Sequence, residues 1–238
     1  MNARDAKLGQ IVAANPGAAR VLEEAGLDYC CGGQRSLDNA CAQAGLSEEE
    51  LLERLRENEL AGAADRNWAS TSLAELTRHI REKHHRYVRD AIQRVQPLAA
   101  KVKAKHGAHH PELAEIERLF LQLAREMTMH MQKEEMILFP YIDALERAAN
   151  SDEAVERPFF QTVRNPIQAM MKDHDSAGDL AKQIRKFTSG YATPSDGCAS
   201  FTSLYDQLRE FEVDLHQHIH LENNILFPCA VKLEAHES

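Results

Sequence analysis

Apolar residues recur three and four positions apart through most of the chain, the period of a helix with one face turned to a core. One stripe runs Ile116, Phe120, Leu123, Met127, then His130 and Glu134, then Ile137 and Tyr141. A second runs Phe201, Leu204, Leu208, Phe211, Leu215, then His218, Glu222 and Ile225. A third reads Ile167, Met170, His174, Ala177, Ala181, and a fourth Leu73, Leu76, Ile80, Tyr87, Ala91. Breaks at "KHGAHHP" (105–111) and "SGYATPSDG" (189–197) divide them. The pattern predicts four long helices over about 72–104, 111–148, 160–188 and 198–234. Long amphipathic helices with short connections favour an all-α, antiparallel four-helix bundle.

The first sixty residues read as a separate small helical domain. Helices are expected over 7–15, 16–25 and 36–44. Gly26 ends the second and Gly45 the third, since glycine tolerates the left-handed cap. A fourth opens at Ser47, where Ser47 and Glu50 form a capping box. The stretch "AGAADRNWAST" (61–71) reads as a linker that lets the leader move, with Thr71 or Ser72 capping the next helix. The bundle then occupies 72–238.

Composition narrows the class. Of the 238 residues, 43% are hydrophobic and only 6% aromatic, which suits helices better than sheets. A net charge of −9 argues against a nucleic-acid or anionic-membrane surface. The first twenty residues do not read as a signal peptide, and no run approaches the ~18 apolar residues a membrane span needs. A cytoplasmic location is expected. The five cysteines are odd in number and scattered, apart from Cys30 and Cys31, which argues against a disulfide framework. Cys41, Cys198 and Cys229 read as buried or incidental.

The second and fourth helices share a phrase. "HMQKEEMILFP" from His130 and "HIHLENNILFP" from His218 lie 88 residues apart and agree in His, Glu, Ile, Leu, Phe and Pro. "KHHRYVRD" from Lys83 and "KDHDSAGD" from Lys172 echo each other more weakly, 89 apart. The bundle therefore reads as a duplicated helical hairpin, each copy giving half of a central site.

Histidine and glutamate fall in step with the apolar stripe. A lone histidine there is ordinary, but a buried, ionised, unpaired carboxylate costs several kcal/mol. Residues four apart on a helix share a face, so each His–Glu pair can reach one centre. A nitrogen and oxygen donor set without sulfur points to a non-haem di-iron centre: two iron ions, oxo- and carboxylate-bridged. The ligand set is His85, His130, Glu134, His174, His218 and Glu222. In the first helix, phase favours His84 and the repeat pairs His85 with His174. The repeat is preferred, because two-fold related ligands come from corresponding positions. Six ligands for two metals leave open positions for dioxygen or nitric oxide. Glu126 and Asp173 are candidates for orienting the ligand imidazoles. His79, His106, His109, His110, His216 and His220 read as solvated, and His236 as part of a loose tail.

Two motifs together carry a family resemblance. The four-helix segment resembles hemerythrin-like domains through His85, His130 with Glu134, His174, His218 with Glu222, and the two "ILFP" endings. The "LDYCCGG" loop (27–33) in a helical leader resembles the N-terminal domain of the iron–sulfur cluster repair di-iron proteins, the RIC family. Asp173 stands where that family's longer Glu is expected. The resemblance implies repair of iron–sulfur clusters damaged by oxidative or nitrosative stress, through donation of iron, with damaged iron–sulfur proteins as partners. It admits a homodimer.

Cys30 and Cys31 are then candidate reactive thiols. Adjacent cysteines close only a strained ring with each other, and Gly32 and Gly33 let the backbone approach another surface. Nearby amides are expected to lower a thiol pKa, so that a mobile leader presents a thiol to iron or to a partner. Two other functions share the same ligands: a dioxygen or nitric oxide sensor or store, and a di-iron enzyme that reduces nitric oxide or peroxide.

Overall fold

Helix ends in the leader follow local chemistry. In this computed structural model, which describes residues 6–60, 68–151 and 158–237, α1 (Leu8–Ala14) and α2 (Ala18–Glu24) come first. Gly26 follows α2 at φ 69°, and Leu27 N–H turns back to Leu22 C=O at 2.8 Å. Helix α3 (Leu37–Ala44) ends at Gly45, φ 67°. Helix α4 (Glu48–Leu60) is capped by Ser47 Oγ, which accepts the Glu50 N–H at 3.3 Å. Of the expected linker, 61–67 lies outside the described residues, and Trp68–Ser70 forms one 3₁₀ turn.

Three of the four long rods contain a π turn. The first runs α5 (Leu73–His79), π1 (Ile80–His85), α6 (Arg86–His106). The second runs α7 (Glu112–Lys133), π2 (Glu134–Leu138), α8 (Phe139–Ala149). The third is α9 (Arg164–Phe187). The fourth runs α10 (Ala199–Leu221), π3 (Glu222–Leu226), α11 (Phe227–Glu237). Helix α9 starts at Arg164 rather than near 160, because Gln161 takes φ 70° and turns the chain. The backbone shows the wide turns directly: Phe139 N–H bonds Glu134 C=O, and Phe227 N–H bonds Glu222 C=O, each five residues back. Pro140 and Pro228 follow immediately. Each lacks an N–H for the carbonyl four residues earlier, which an α-helix would leave unpaired.

Two compact units result. One comprises Arg78–Tyr141 and Asn165–Leu215. Within it the rods alternate in direction. Lys103 pairs with Glu117 and Arg89 with Glu135, so α6 and the second rod are antiparallel. Lys133 meets Asp173 while Glu126 meets Ser176, so α7 and α9 are antiparallel. Tyr87 lies against Phe211 and His106 against Phe201, so α6 and α10 are antiparallel. This unit is itself an antiparallel four-helix bundle, as the stripes predict. Its core includes Ile116, Phe120, Leu123, Ile167, Met170, Leu204 and Leu208.

The other unit gathers the described parts of Met1–Thr77, Ile142–Arg164 and His216–Ser238. Ser72 Oγ accepts the Glu75 N–H, and the Glu146 carboxylate accepts the N–H groups of Leu73 and Ala74 at 2.6 and 2.9 Å, capping α5 from α8. The cysteine loop is tied to α1, with Gly9 N–H on Gly33 C=O and Leu8 N–H on Arg35 C=O. No strand occurs among the described residues, and none of the described helices is long and apolar enough to cross a membrane.

Candidate metal centre

The π turns explain where the histidines fall. In π1 the wide turn brings both His84 and His85 inward, at 1% and 0% exposure. They separate by partner. His84 Nδ1 bonds Asp214 Oδ1 at 2.9 Å. His85 turns Nε2 to Glu134 Oε2 at 3.3 Å. His85, not His84, therefore joins the carboxylate.

Glu134 is fully buried and shared. His130 Nε2 lies 3.2 Å from the same Oε2 that His85 approaches. His174 Nε2 faces His130 Nε2 at 3.1 Å, their ring centroids 4.7 Å apart. His130, Glu134 and His174 each place a ligand atom within 4.8 Å of the others. In the second unit, His218 Nε2 lies 3.0 Å from Glu222 Oε1, and both side chains are wholly buried.

The far sides of the imidazoles are also held. His85 Nδ1 meets Glu135 Oε1 at 2.6 Å, and Arg89 Nη2 meets that oxygen at the same distance. Burial pushes the Glu135 pKa up, but the hydrogen bonds from Arg89 and His85 outweigh it and leave the carboxyl below its usual range. His130 Nδ1 faces Asp173 Oδ2 at 3.5 Å, and Lys133 bonds that oxygen at 2.8 Å. The His130 contact is the main cause that holds Asp173 down at about 2. A carboxylate behind a ligand histidine fixes its tautomer, leaving Nε2 for the metal. Glu126 does not join in: it accepts from Gln122 and Ser176. Glu135 was missed by sequence reading. The doubled "EE" at 134–135 was its only signal.

The donors suit a bound cation. A carboxylate shared between two buried imidazoles, and two imidazole Nε2 atoms turned on one another, gather lone pairs that repel unless protons or metal lie between them. Imidazole with carboxylate and no thiolate suits iron.

Several histidines expected in solvent are not there. His216 Nδ1 bonds Glu23 Oε1 at 3.1 Å, with the Tyr29 ring edge-on to it. His220 is buried against Tyr29, and burial lowers its pKa to about 4. His106 meets Cys198, and His110 sits between Glu112 and Asp196. His109 is exposed. The side chain of His236 lies outside the described residues.

The cysteine loop is clamped to π3. Asn224 Nδ2 donates to the carbonyls of Tyr29 and Cys30 at 3.2 and 3.4 Å, and to His220 Nδ1 at 3.1 Å. A Cβ on Gly9 would lie 2.2 Å from Asn224 Oδ1, and one on Gly33 would lie 2.5 Å from Tyr29 O. The loop is thus fixed within its unit, contrary to a freely moving leader. Cys30 is buried, and its Sγ donates to Asp28 Oδ1 at 3.3 Å. The expected lowering by amides is reversed. The hydrogen bond with Cys31, burial and the nearby Asp28 raise the Cys30 pKa well above a free thiol, while the Gly32 amide bonds Asp28 instead. Asp28, Cys30 and Cys31 gather ligand atoms within 4.8 Å, and Cys31 is half-buried.

Residues 76–230 match the family model for the Hemerythrin HHE cation binding domain, more than half of the chain. The chain belongs to the hemerythrin HHE family. Residues 4–59 match a second model, a domain of unknown function, DUF542. This HHE chain is 35% identical over 228 residues to a "Probable iron-sulfur cluster repair protein" of Haemophilus influenzae, covering 93% of this chain and 95% of that one. It is 31% identical over 235 residues to the "Iron-sulfur cluster repair protein YtfE" of Musicola paradisiaca, covering 99% and 100%. Against the protein of the same name from Escherichia coli O8 it is 33% identical over 232 residues, covering 96% and 97%.

Proposed function

We propose that this HHE chain holds two iron ions and returns iron to iron–sulfur clusters damaged by oxidative or nitrosative stress. The observation that carries it is Glu134, wholly buried and flanked at 3.3 and 3.2 Å by the Nε2 atoms of His85 and His130. The internal repeat supplies the counterpart: His218 and Glu222 stand to α10 as His130 and Glu134 stand to α7. His85, His130, Glu134, His174, His218 and Glu222 are the proposed ligands of one centre. Similarity over nearly the whole length to proteins named for cluster repair supports the activity.

The ligand chemistry suits a donor. Bound iron would supply both the cargo and a Lewis-acidic site open to small molecules. Six donors for two ions leave coordination incomplete, and the absence of thiolates from the set keeps iron transferable to sulfur ligands elsewhere. Glu135 and Asp173 hold the His85 and His130 rings to the metal. Cys30 and Cys31 are the proposed thiols: half-buried Cys31 would meet iron or a damaged partner, with buried Cys30 and Asp28 behind it. The proposed partners are damaged iron–sulfur proteins in the cytoplasm.

The test is transfer. Iron-loaded protein is mixed with an iron–sulfur protein whose cluster nitric oxide has destroyed. Recovery of the partner's activity with matching loss of iron from this chain is expected. No recovery, or recovery with all iron retained, overturns donation. Repeated consumption of nitric oxide or peroxide with iron retained would establish the enzyme reading. Serine at both Cys30 and Cys31 should leave iron content unchanged and reduce recovery.

A further inference from the structure

A second reactive site lies at the loop end of the bundle unit. Cys198 stands immediately before α10, a helix of 23 residues, so its side chain meets the helix N-terminal amides. From another rod, His106 Nε2 reaches Cys198 Sγ at 3.2 Å. The His106 ring is fixed edge-on against Phe201, centroids 5.4 Å apart, and beside His110 at 6.4 Å. His110 is held in turn by Glu112 at 2.9 Å and Asp196 at 3.0 Å. Lys105 adds positive charge near the sulfur. Cys198 is only partly buried.

We propose that Cys198 is a thiolate site that exchanges with small disulfides, using His106 and the α10 amides to stabilise the sulfur anion. The ionised Cys198 Sγ attacks one sulfur of a low-molecular-weight disulfide. A Cys198–sulfur bond forms, the original sulfur–sulfur bond breaks, and its electron pair leaves on the second sulfur. The released thiolate takes up a proton equivalent to the one Cys198 gave up on ionising. The products are one mixed disulfide and one free thiol, so no external oxidant is needed beyond the disulfide itself.

Three other thiols point the opposite way. Burial raises Cys41 and Cys229, and Cys30 is raised by Cys31, burial and Asp28. Hydrogen bonding from the Phe201 amide, then from His106, brings Cys198 down to about 7. The groups facing the sulfur are His106 and Lys105 on α6 and the Ser200 and Phe201 amides of α10; His110 and Asp196, paired with each other, stand behind His106. At pH 7 a thiol of pKa about 7 is half ionised, whereas an ordinary one of ~8.5 is ionised to a few per cent. The weaker nucleophilicity of the more acidic thiolate takes back part of this gain, leaving a net advantage of roughly threefold.

The test treats the folded, iron-loaded chain with oxidised glutathione and locates adducts by peptide mass spectrometry. The pH profile of iodoacetamide alkylation is read at Cys198 in the same way. The expected result is a glutathione adduct on Cys198, absent in Cys198→Ser, with a half-ionisation point near pH 7. In His106→Asn that point should rise part of the way toward the ordinary thiol value, since the Phe201 amide remains, with exchange at pH 7 slowed by less than about threefold. Unchanged visible absorption and iron content in both variants separates this site from the metal centre. Adducts on other cysteines with Cys198 unmodified would overturn the proposal. So would a Cys198 profile that titrates as an ordinary thiol and does not move in His106→Asn.

Discussion

Glu135 holds the His85 ring from behind. Its carboxylate ties His85 Nδ1 to Arg89, which leaves Nε2 as the ring nitrogen for the proposed metal. Glu135→Gln should lower iron affinity by about 10–100-fold, read by competition with a chelator, while helical content stays unchanged. Glu126→Gln, which alters only the contacts with Gln122 and Ser176, should leave it unaltered. His130, Glu134, His174, His218 and Glu222 were legible in the sequence because each falls on a buried stripe before any π turn shifts it. Their partners were not. Asp214 behind His84, Glu23 behind His216 and Cys198 beside His106 are 130, 193 and 92 residues away along the chain. No period in the sequence encodes such contacts.

At the scale of the element, the π turn decides where periodic reading stops working. In π2 the extra residue advances the buried face by one position, whereas in π3 the expected Ile225 stays buried beside Leu226. The α-helical count from Glu134 predicts Ile137 and Tyr141 in the core. Instead Leu138 and Ile142 are buried, at 1% and 0%, and Ile137 is 38% exposed. The same slip in π1 leaves Tyr87 half-exposed and buries Val88. It also turns both His84 and His85 inward, so that their partners, Asp214 and Glu134, distinguish them rather than the helical phase. Before the first slip in each rod the stripes hold throughout, as they do along the whole of α9, which has no π turn. The third π turn has a separate task, since Asn224 on it grips the cysteine loop. Asn224→Ala leaves two carbonyls without their donor and should cost about 1–3 kcal/mol. Gly33→Ala drives a Cβ against the Tyr29 carbonyl and should cost about as much. Thermal or denaturant unfolding of each variant beside the parent checks both values.

For the whole molecule, folding and metal binding are linked. Glu134 and Glu222 are wholly buried, together with four imidazoles. Without a cation those carboxylates must take up protons or share them with histidine, at a cost to stability. Iron free at a hundred times its dissociation constant adds about 2.7 kcal/mol. For a chain of this size that raises Tm by roughly 5–11 °C. Scanning calorimetry of the iron-free and iron-loaded forms should show that rise, and Glu134→Ala should abolish most of it.

Iron counting joined to Mössbauer spectroscopy on the purified, reconstituted chain reaches the central claim most directly. Two irons per chain, with the spectrum of a spin-coupled pair, are expected for the parent protein. Both should be lost or reduced to one in Glu134→Ala and in Glu222→Ala. A single uncoupled iron in the parent, or full iron retention when either glutamate is removed, would contradict the account.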